Sequence, residues 1–397
     1  MVNFWTTGTE IAASEEEKRR WLKRLPKGPE LELLNSYFPV QSAATRPPRD
    51  SASRPFGCLT ENGLESMRNL GRSIKKLHPR ILEKGAQEGQ DDKTGDGGAL
   101  PVVQFYVFSS NFSRTQQSAQ GLLHGLGAHE LARGDQVPVV VREEKACTIH
   151  MYDNNPRMIQ EEVGKVLTAP SFVARQDQQE ALKSDLVRLI PRLNSDNFKW
   201  MEAADFFWCW PQDLDMPGPL KRLRQPTVEY VAWRFQQYYA HPPLLALVIA
   251  PLVQEILGTL RRMGQADSFA SNSDNESSGS SQACRVAVFS GHDVTLLAFL
   301  HALDWPLAHN PAWWPPYGCA LVFELLEPFV PDAGGKGGEY RVRIRLDMTG
   351  KSYPLSLPLF TCSASSLTFT DDDDGLPLSE LEQWLHQHGP RIPEDRA

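Results

Sequence analysis

The stretch Arg285-Val-Ala-Val-Phe-Ser-Gly-His-Asp-Val-Thr-Leu-Leu-Ala-Phe-Leu-His-Ala-Leu303 decides the fold class predicted for this chain. Its first part, 286–289, is apolar and partly β-branched, which is the pattern of a strand covered on both faces. A polar turn follows at 290–293, and leucines then recur at the spacing of a helix. The stretch therefore predicts a strand, a turn and a helix in that order.

His292 and Asp293 lie in the turn of this predicted unit. Asp293 stands where an N-cap residue belongs, so its carboxylate is expected to meet free backbone amides and the positive end of the helix dipole. The pair also follows the carboxyl end of a central strand, where open α/β sheets build their ligand sites. Two interpretations are open at this point: a capping aspartate beside an incidental histidine, or part of a functional site.

A second strand-to-helix junction lies upstream. The apolar and aromatic run Val102–Phe108 predicts a buried strand, and 116–126 predicts a helix with Ala119, Leu122, Leu123 and Leu126 on one face. Arg114 lies between them. An arginine offers a bidentate fork for phosphate oxygens, a helix N-terminus adds amides, and a protonated aspartate can serve as general acid. Together the two junctions indicate a metal-independent phosphomonoesterase site.

Composition narrows the class of protein. The chain has 397 residues, 41% hydrophobic and 23% charged, as in ordinary globular enzymes. Its net charge of −8 and the lack of a lysine and arginine stripe argue against a nucleic-acid partner. The apolar run 244–253 is too short to predict a membrane span, and the first ten residues do not resemble a signal peptide.

The pattern along the chain predicts an α/β core interrupted by a helical cap. Residues 1–55 form a poorly defined N-terminal segment, 56–138 and 244–390 form the core, and 139–243 form the cap. Within the core, 265–283 is rich in Ser, Asn and Asp and predicts a disordered loop. The runs 319–325 and 340–346 alternate like two paired strands, and 379–388 predicts a closing helix.

Cysteine usage leaves the compartment undecided. The six cysteines include no Cys-x-x-Cys pair, so a zinc site is not predicted. They are compatible with three disulfides in an oxidising compartment or with buried thiols in the cytosol. The sequon at Asn275 matters only if the chain is exported. Oligomeric state and localisation stay open.

Motifs spread over roughly 56–388 resemble the histidine acid phosphatases, a branch of the histidine phosphatase superfamily. The matching segments are Leu59-Thr-Glu-Asn-Gly63, Arg114-Thr115-x-x-Ser118-Ala119, Gly291-His-Asp-Val-Thr295, Pro315-Pro-Tyr-Gly-Cys319, Tyr340-Arg-Val-Arg343 and Leu376-Pro-Leu-Ser-Glu-Leu381. Each motif is weak alone, but their order and spacing together are fairly specific.

The resemblance implies a fold, a reaction and roles for three residues. The fold would be a phosphoglycerate-mutase-like sandwich, with helices on both faces of a mostly parallel sheet and an inserted helical cap. The reaction would be hydrolysis of a small phosphate ester through a phosphohistidine, without a metal or another cofactor. Arg114 would bind the phosphate, His292 would bind it and stabilise the transferring group, and Asp293 would protonate the leaving oxygen.

The chain departs from the family in two places. Where the family usually has acidic residues before the arginine, this chain has Asn111 and Ser113. The family also carries its nucleophile in an Arg-His-Gly-x-Arg-x-Pro motif after the first strand, and residues 1–58 contain no histidine. A look-alike at 387–393 lacks the leading arginine and follows a helix, so a helix ending in Gly389 explains it better than a circular permutation. His124, in a predicted helix, offers no substitute.

Two hypotheses follow for the function. In the first, the protein is an acid phosphatase whose N-terminal strand and nucleophile are missing from this version of the chain, which would leave it weak or inactive. A signal peptide could then be lost with them, so the localisation stays open. In the second, it is a pseudophosphatase that keeps an anion pocket and acts as a binding or regulatory protein. The first hypothesis predicts a sheet that lacks a central strand or uses 1–5 in its place.

Other residues have plainer interpretations. His78, His129, His150 and His309 lack motif support and are expected on the surface or in loops. The aromatic cluster at 206–210 either lines the substrate mouth or forms the core of the cap, and the second is favoured. The acidic run 371–374 is expected to be a solvated loop.

Overall fold

The fold is seen in a computed structural model. It describes residues 15–50, 55, 57–77, 103–190, 193, 196, 198–210, 215–271, 285–326, 339–347, 361–363, 366–368 and 375–389. The expectations for 85–98, for the sequon at Asn275, for 371–374 and for 390–393 lie outside these residues.

Helices dominate the described residues, and the strands are short. The α-helices are Glu15–Leu22 (α1), Gly28–Tyr37 (α2), Glu61–Leu77 (α3), Ser113–Leu126 (α4), Ala128–Leu131 (α5), Pro156–Leu167 (α6), Pro170–Asp177 (α7), Glu180–Leu189 (α8), Trp200–Trp208 (α9), Gly218–Tyr239 (α10), Pro242–Ser271 (α11), Asp293–Ala302 (α12) and Leu378–His388 (α13). The strands are Val40–Ser42 (β1), Gln104–Ser109 (β2), Val139–Val141 (β3), Arg285–Ser290 (β4), Ala320–Leu326 (β5), Arg341–Asp347 (β6), Thr361–Ser363 (β7), Ser366–Thr368 (β8) and Leu376–Pro377 (β9).

A parallel sheet with the strand order β1-β3-β2-β4 forms the centre of the fold. Its longest pairing joins β2 to β4 in parallel, with Gln104 opposite Arg285 and Ser109 opposite Ser290. The two strands therefore end side by side, as the sequence patterns required. Helices pack on this sheet, and Leu64 of α3 and Leu123 of α4 share a buried cluster with Val107. The predicted α/β class is confirmed.

The sheet is wider than the sequence patterns indicated. Residues 139–141 were assigned to the cap, yet β3 lies inside the sheet between β1 and β2. The sequence predicts no defined structure for 1–55, but Leu34 of α2 and Phe38, which follows that helix, are buried in a cluster with Val107, and β1 is the edge of the sheet. Both strands have only three residues, too few to produce a recognisable period.

A second, antiparallel sheet has the order β5-β6-β9. The expected pairing of the two alternating runs is seen between β5 and β6, with Ala320 opposite Asp347. In the described part of the chain, β4 and β5 stand at the ends of their respective sheets. Val288 of β4 and Ala320 of β5 nevertheless pack against the same small cluster of Leu70, Leu122 and Leu126.

The long helix α11 returns the chain from the cap to the core. It extends to Ser271, so the first residues of the segment 265–283 are helical rather than loop. Pro242–Gly264 has a mean hydropathy of 1.8 and is long and apolar enough to cross a membrane by length and composition, although half of this window is buried inside the protein. Its residues Leu244, Leu247 and Ile249 are buried in the largest core cluster.

Close contact between α3 and α4 fixes the position of α4. A Cβ atom at Gly71 would lie 2.3 Å from the carbonyl oxygen of Leu122, and one at Gly125 would lie 2.1 Å from that of Arg68. Only glycine allows the two backbones to approach so closely. The helix that begins beside Arg114 is thus held along its length by backbone contact.

Candidate active site

The turn after β4 presents His292 and Asp293 as predicted, with one correction. His292 occupies the N-cap position with φ −123° and ψ 158°, and Asp293 is the first helical residue of α12. The carboxylate still serves the helix terminus, because Asp293 Oδ1 accepts a hydrogen bond of 2.9 Å from the backbone N–H of Val294. The interpretation of Asp293 as the N-cap itself was therefore wrong by one position.

Asp293 has a hydrogen-bond donor that sequence reasoning missed. The indole N–H of Trp314 donates to Asp293 Oδ2 over 2.9 Å. Burial raises the pKa of Asp293 above its ordinary value of 3.8, and the bonds from Trp314 and from the backbone of Val294 counteract part of that rise. The carboxyl group is therefore biased towards its protonated form and stays oriented by the indole.

His292 lies among neighbours that disfavour its protonation. Burial lowers the pKa of His292 well below 6.5, and the positive charges of His150, Arg114 and Arg49 lower it further. One ring nitrogen, Nε2, is 2.9 Å from the hydroxyl of Ser110. The imidazole is therefore neutral at physiological pH and is held by a group at the end of the adjacent strand, β2.

Arg114 lies in the first turn of α4 and is 2% exposed. Its guanidinium stacks on Phe112, with 4.3 Å from Cζ to the ring centroid. Burial lowers the pKa of Arg114, whereas Asp50, Asp293 and Asp205 raise it in that order. These interactions place Arg114 in the same electrostatic environment as Asp293.

Asp50 organises the start of α4, although it lies in the N-terminal segment 1–55, for which the sequence predicts no defined structure. Its carboxylate accepts the backbone N–H of Ser113 over 2.7 Å and that of Arg114 over 3.1 Å. Its Oδ2 also lies 3.6 Å from Nη1 of Arg114. Asp50 therefore caps the helix and orients the arginine, and it supplies an acidic group despite Asn111 and Ser113 in the preceding segment.

Hydroxyl groups join the ends of β2 and β4. The hydroxyl of Ser290 donates to the carbonyl oxygen of Thr115 over 2.7 Å, and Ser110 N–H donates to Ser290 O over 3.2 Å. The hydroxyls of Ser110 and Thr115 are 2.9 Å apart. This network links the turn that carries Arg114 to the turn that carries His292.

Arg49 is a second cation at the rim. Its backbone N–H donates to Asn111 O over 3.1 Å, and its guanidinium lies 5.8 Å from the ring centroid of Phe112. The side chain is exposed, in contrast to Arg114. No motif in the sequence signalled Arg49, because the loop that carries it has no regular period.

His150 lies in a loop, as expected, and its ring also contacts the site. Its ring centroid is 4.6 Å from that of His292 and 5.5 Å from that of Phe112, both in edge-to-face orientation. The residue is partly buried. Its position in an irregular loop gave no local pattern from which this contact could be predicted.

Phe206, Phe207 and Trp208 pack in or against the core formed by α8, α9 and α10, the role that the sequence favours for the aromatic cluster at 206–210. Phe207 is fully buried in the cluster formed by α8, α9 and α10, which is a packing role. Trp208 also stacks on Trp314 at 4.7 Å between ring centroids, and Phe235 of α10 meets Trp314 at 5.1 Å. Helices α9 and α10, which the sequence predicts to belong to the cap, therefore contact the residue that holds Asp293.

The remaining candidates lie apart from this cluster. His124 is on the exposed side of α4, and Gly389 follows the closing helix, where it donates its N–H to Leu385 O over 2.9 Å. Within the described residues, no three His, Cys, Asp or Glu side chains are grouped closely enough to hold a metal ion. Cys147 and Cys319 are free thiols.

The fold and this cluster define an α/β protein with a cationic and acidic site at the carboxyl ends of two parallel strands. No family model matches the chain. It is, however, 24% identical to human prostatic acid phosphatase in an alignment 400 positions long. The alignment covers 94% of this chain and 89% of that protein. This relationship confirms the resemblance to the histidine acid phosphatases that the motifs predicted.

Solved structures with a similar arrangement include two bacterial phytases. The phytase from Citrobacter braakii has a TM-score of 0.49 and 14% identity, with 92% of this chain and 95% of that chain covered. The Hafnia alvei phytase in its apo form has a TM-score of 0.47 and 15% identity, with 88% and 95% covered.

Proposed function

We propose that this protein binds phosphate monoesters at the ends of β2 and β4 and hydrolyses them. The observation that carries the proposal is the meeting of Arg114, His292 and Asp293, which come from two distant strand-to-helix junctions. The sequence relationship to an acid phosphatase supports the same reaction class. We also propose that 56–138 and 244–390 act as the core, with β1 and β3 added to it, and that the helices between Pro156 and Tyr239 act as the cap.

Substrate binding rests on Arg114 and its surroundings. A planar guanidinium matches two phosphate oxygens, and a bond to a dianion strengthens where water is scarce. Asp50 fixes the orientation of Arg114 before phosphate binds. Binding therefore costs little additional conformational entropy of the arginine side chain. Neutral His292 adds a hydrogen-bond donor, and Arg49 adds positive potential at the rim.

Asp293 is proposed as the general acid. Its raised pKa favours the protonated form, which can deliver a proton to the leaving oxygen, and an unprotonated alkoxide would be a far poorer leaving group. After the proton has left, the same carboxylate can accept one from the attacking water in the second step. Trp314 keeps the group aimed in both states.

A turnover assay with an aryl phosphate at acidic pH tests the proposal. We expect Asp293→Asn to reduce kcat by about 10² to 10⁴, the usual contribution of a positioned acid. Arg114→Gln should raise KM and lower kcat together. Arg157→Gln is the matched control, because Arg157 is 92% exposed and remote from the site. Equal turnover in all four proteins would sink the proposal.

The regulatory alternative predicts binding without turnover. Inorganic phosphate or orthovanadate should raise the Tm of the folded protein in either case, since a ligand that binds only the native state stabilises it. If Arg114→Gln abolishes this rise while the natural protein shows no turnover, the chain works as an anion-binding protein. Turnover that depends on Asp293 excludes that role.

A further inference from the structure

We infer that Tyr317 is a specificity-determining residue of the proposed site, and that the surface around it selects against a leaving group with a negative charge. The inference rests on the proposed function and deepens it, because it concerns the part of the substrate attached to the oxygen that Asp293 protonates. Three observations carry it: the contacts that bring Tyr317 to the site, the turn that holds it, and the signs of the charges around it.

Two aromatic residues, Trp314 and Tyr317, connect the proposed acid to helix α9. Trp314 donates to Asp293 Oδ2 over 2.9 Å and stacks on Trp208 of α9. The hydroxyl of Tyr317 lies 3.5 Å from Sγ of Cys209, the residue that ends α9. The short segment that orients the acid is therefore also attached to this helix at two points.

The residues of α9 that meet this segment belong to one face of the helix. Positions 208 and 209 follow position 205 by three and four residues, the spacing of side chains that are neighbours on a helix surface. Asp205 is 1% exposed and interacts electrostatically with both Tyr317 and Arg114. This face of α9 is therefore turned towards the site.

A tight turn fixes the position of Tyr317. The N–H of Cys319 donates to Pro316 O over 3.1 Å and closes a turn with Tyr317 and Gly318 at its centre. Gly318 has φ 76°, the left-handed conformation found at the third residue of a type II turn. The ring of Pro316 restricts the backbone just before the tyrosine. The phenol is thus held in place before a substrate binds, as a specificity residue has to be.

The phenol of Tyr317 stays protonated and partly accessible. Burial raises its pKa well above 10, and the neighbouring Cys209, Asp205 and Asp293 raise that pKa further. The side chain is partly buried, so part of its surface can meet a ligand. Its oxygen can accept a hydrogen bond from an ammonium or hydroxyl group of the substrate.

The charges near Tyr317 are opposite in sign to those at the phosphate end of the site. Each ionisable neighbour that shifts the pKa of Tyr317 disfavours a negative charge there, and Asp205 is one of them. Beside His292, in contrast, Arg114 and Arg49 supply positive charge. A substrate that spans both ends would place its phosphate among cations and its leaving group in a negative field, which repels an anion and attracts a cation.

Aromatic rings supply the remaining contacts around the acid. Trp208 and Phe235 lie 4.7 and 5.1 Å from Trp314 between ring centroids, and all three side chains are partly buried. The face of an aromatic ring attracts an ammonium group within about 6 Å of its centroid and also covers apolar atoms. The surface therefore suits the phosphate ester of an alcohol or phenol that carries an amino group.

Three aryl phosphates that differ in one substituent test the inference on the full chain. They carry an aminomethyl, a hydroxymethyl or a carboxymethyl group in the para position, and at pH 6 these groups are positive, neutral and negative. The methylene group keeps the leaving phenols similar in reactivity. We expect kcat/KM to fall in that order, by about tenfold or more from the first substrate to the last.

Two variants assign this selectivity to the residues named. Asp205→Asn removes the charge, and Tyr317→Phe removes the acceptor oxygen. Each should lower the ratio of kcat/KM for the aminomethyl substrate to that for the carboxymethyl substrate by at least about threefold. Partial misfolding would reduce both values and leave their ratio unchanged. Asp185→Asn, at a carboxylate of α8 whose side chain is 48% exposed, is the matched control and should keep the ratio.

The outcomes separate this inference from the function on which it rests. Equal kcat/KM for the three substrates, or an unchanged ratio in both variants, overturns the inference while turnover that depends on Asp293 leaves the proposed function standing. No turnover of any of the three substrates overturns both.

Discussion

The carboxyl group of Asp293 and the indole of Trp314 form the most informative pair at the scale of single residues. A hydrogen bond to a carboxylate stabilises its charged form, so the indole N–H opposes the effect of burial on the pKa of Asp293. Trp314 therefore orients the acid and lowers the pH at which Asp293 loses its proton, against the larger effect of burial.

Trp314→Phe should move the alkaline limb of the pH–kcat profile to higher pH. The substitution keeps an aromatic ring against Trp208 but removes the N–H donor, so the pKa of Asp293 should rise further and the acid should stay protonated to a higher pH. We expect kcat at the optimum to fall by about tenfold through loss of orientation. Turnover between pH 4 and 8 measures both effects.

The control for this prediction is Trp313→Phe. Trp313 is the chain neighbour of Trp314 and packs on the edge of the main core cluster. Its substitution should leave the alkaline limb in place. An unchanged limb in Trp314→Phe, or an equal displacement in both variants, would contradict the role given to the indole.

The site residues that directly follow a predicted strand could be identified from the sequence. Those that loops bring to the site could not. Arg114, His292 and Asp293 each stand at a predicted strand-to-helix junction, and parallel strands bring such junctions together. Asp50 meets Arg114 across 64 positions of the chain, and Trp314 meets Asp293 across 21. Neither lies in a periodic segment, so only tertiary packing brings them to the site.

At the scale of elements, the close pair α3 and α4 determines where Arg114 lies. Contact between their backbones depends on Gly71 and Gly125, which leave no room for a side chain. A helical glycine normally weakens a helix by about 0.5–1 kcal/mol relative to alanine. At these two positions the close packing of α3 against α4 offsets that loss of stability.

Gly125→Ala should destabilise the protein by about 1–3 kcal/mol, since the new methyl group would lie against the backbone of Arg68 and force the helices apart. Gly164→Ala provides the control. Nothing lies within 4 Å of the position of its Cβ, so it should stabilise by about 0.5–1 kcal/mol. Urea unfolding measures both, and loss of stability in both variants would contradict the packing argument.

The turn after β4 and the loop before α6 act as one unit through Gly291 and Ile149. Gly291→Ala should displace the loop and reduce turnover more than tenfold, because the added methyl group would lie 2.6 Å from Ile149 Cγ2. The double variant Gly291→Ala with Ile149→Ala should recover part of the activity. Additive effects in the double-mutant cycle would show that the two residues are not coupled in this way.

Longer helices and strands could be predicted from the sequence, whereas the shortest strands could not. α3 begins after Thr60, whose hydroxyl accepts the N–H of Gly63 over 3.1 Å, as the side chain of an N-cap residue does. The paired strands β5 and β6 follow their alternation. The three-residue strands β1 and β3 could not be predicted, since three residues satisfy helical and extended periods equally well.

At the scale of the whole molecule, the burial of Asp293 makes the stability of the folded protein depend on pH. Because the pKa of Asp293 is raised in the folded state, the native protein binds this proton more tightly than the unfolded chain does. The contribution of Asp293 to stability is therefore greatest below its ordinary pKa of 3.8 and is lost as the pH rises through the folded value.

Asp293→Asn should thus be more stable than the natural protein at neutral pH, by roughly 1 kcal/mol, and should lose that advantage in acid. The free energy of unfolding in urea, measured from pH 3 to 8, gives the difference between the two proteins at each pH. A constant difference for Asp293→Asn would refute the linkage.

The order of strands in the central sheet has a consequence for synthesis of the chain. β2 lies between β3 and β4, yet β4 is made only when the ribosome reaches Arg285–Ser290. Until then a nascent chain presents the backbone edge of Gln104–Ser109, an aromatic strand ready to pair with any other strand. The interval in which this protein most needs a chaperone therefore begins when β2 emerges and ends when its last neighbour docks.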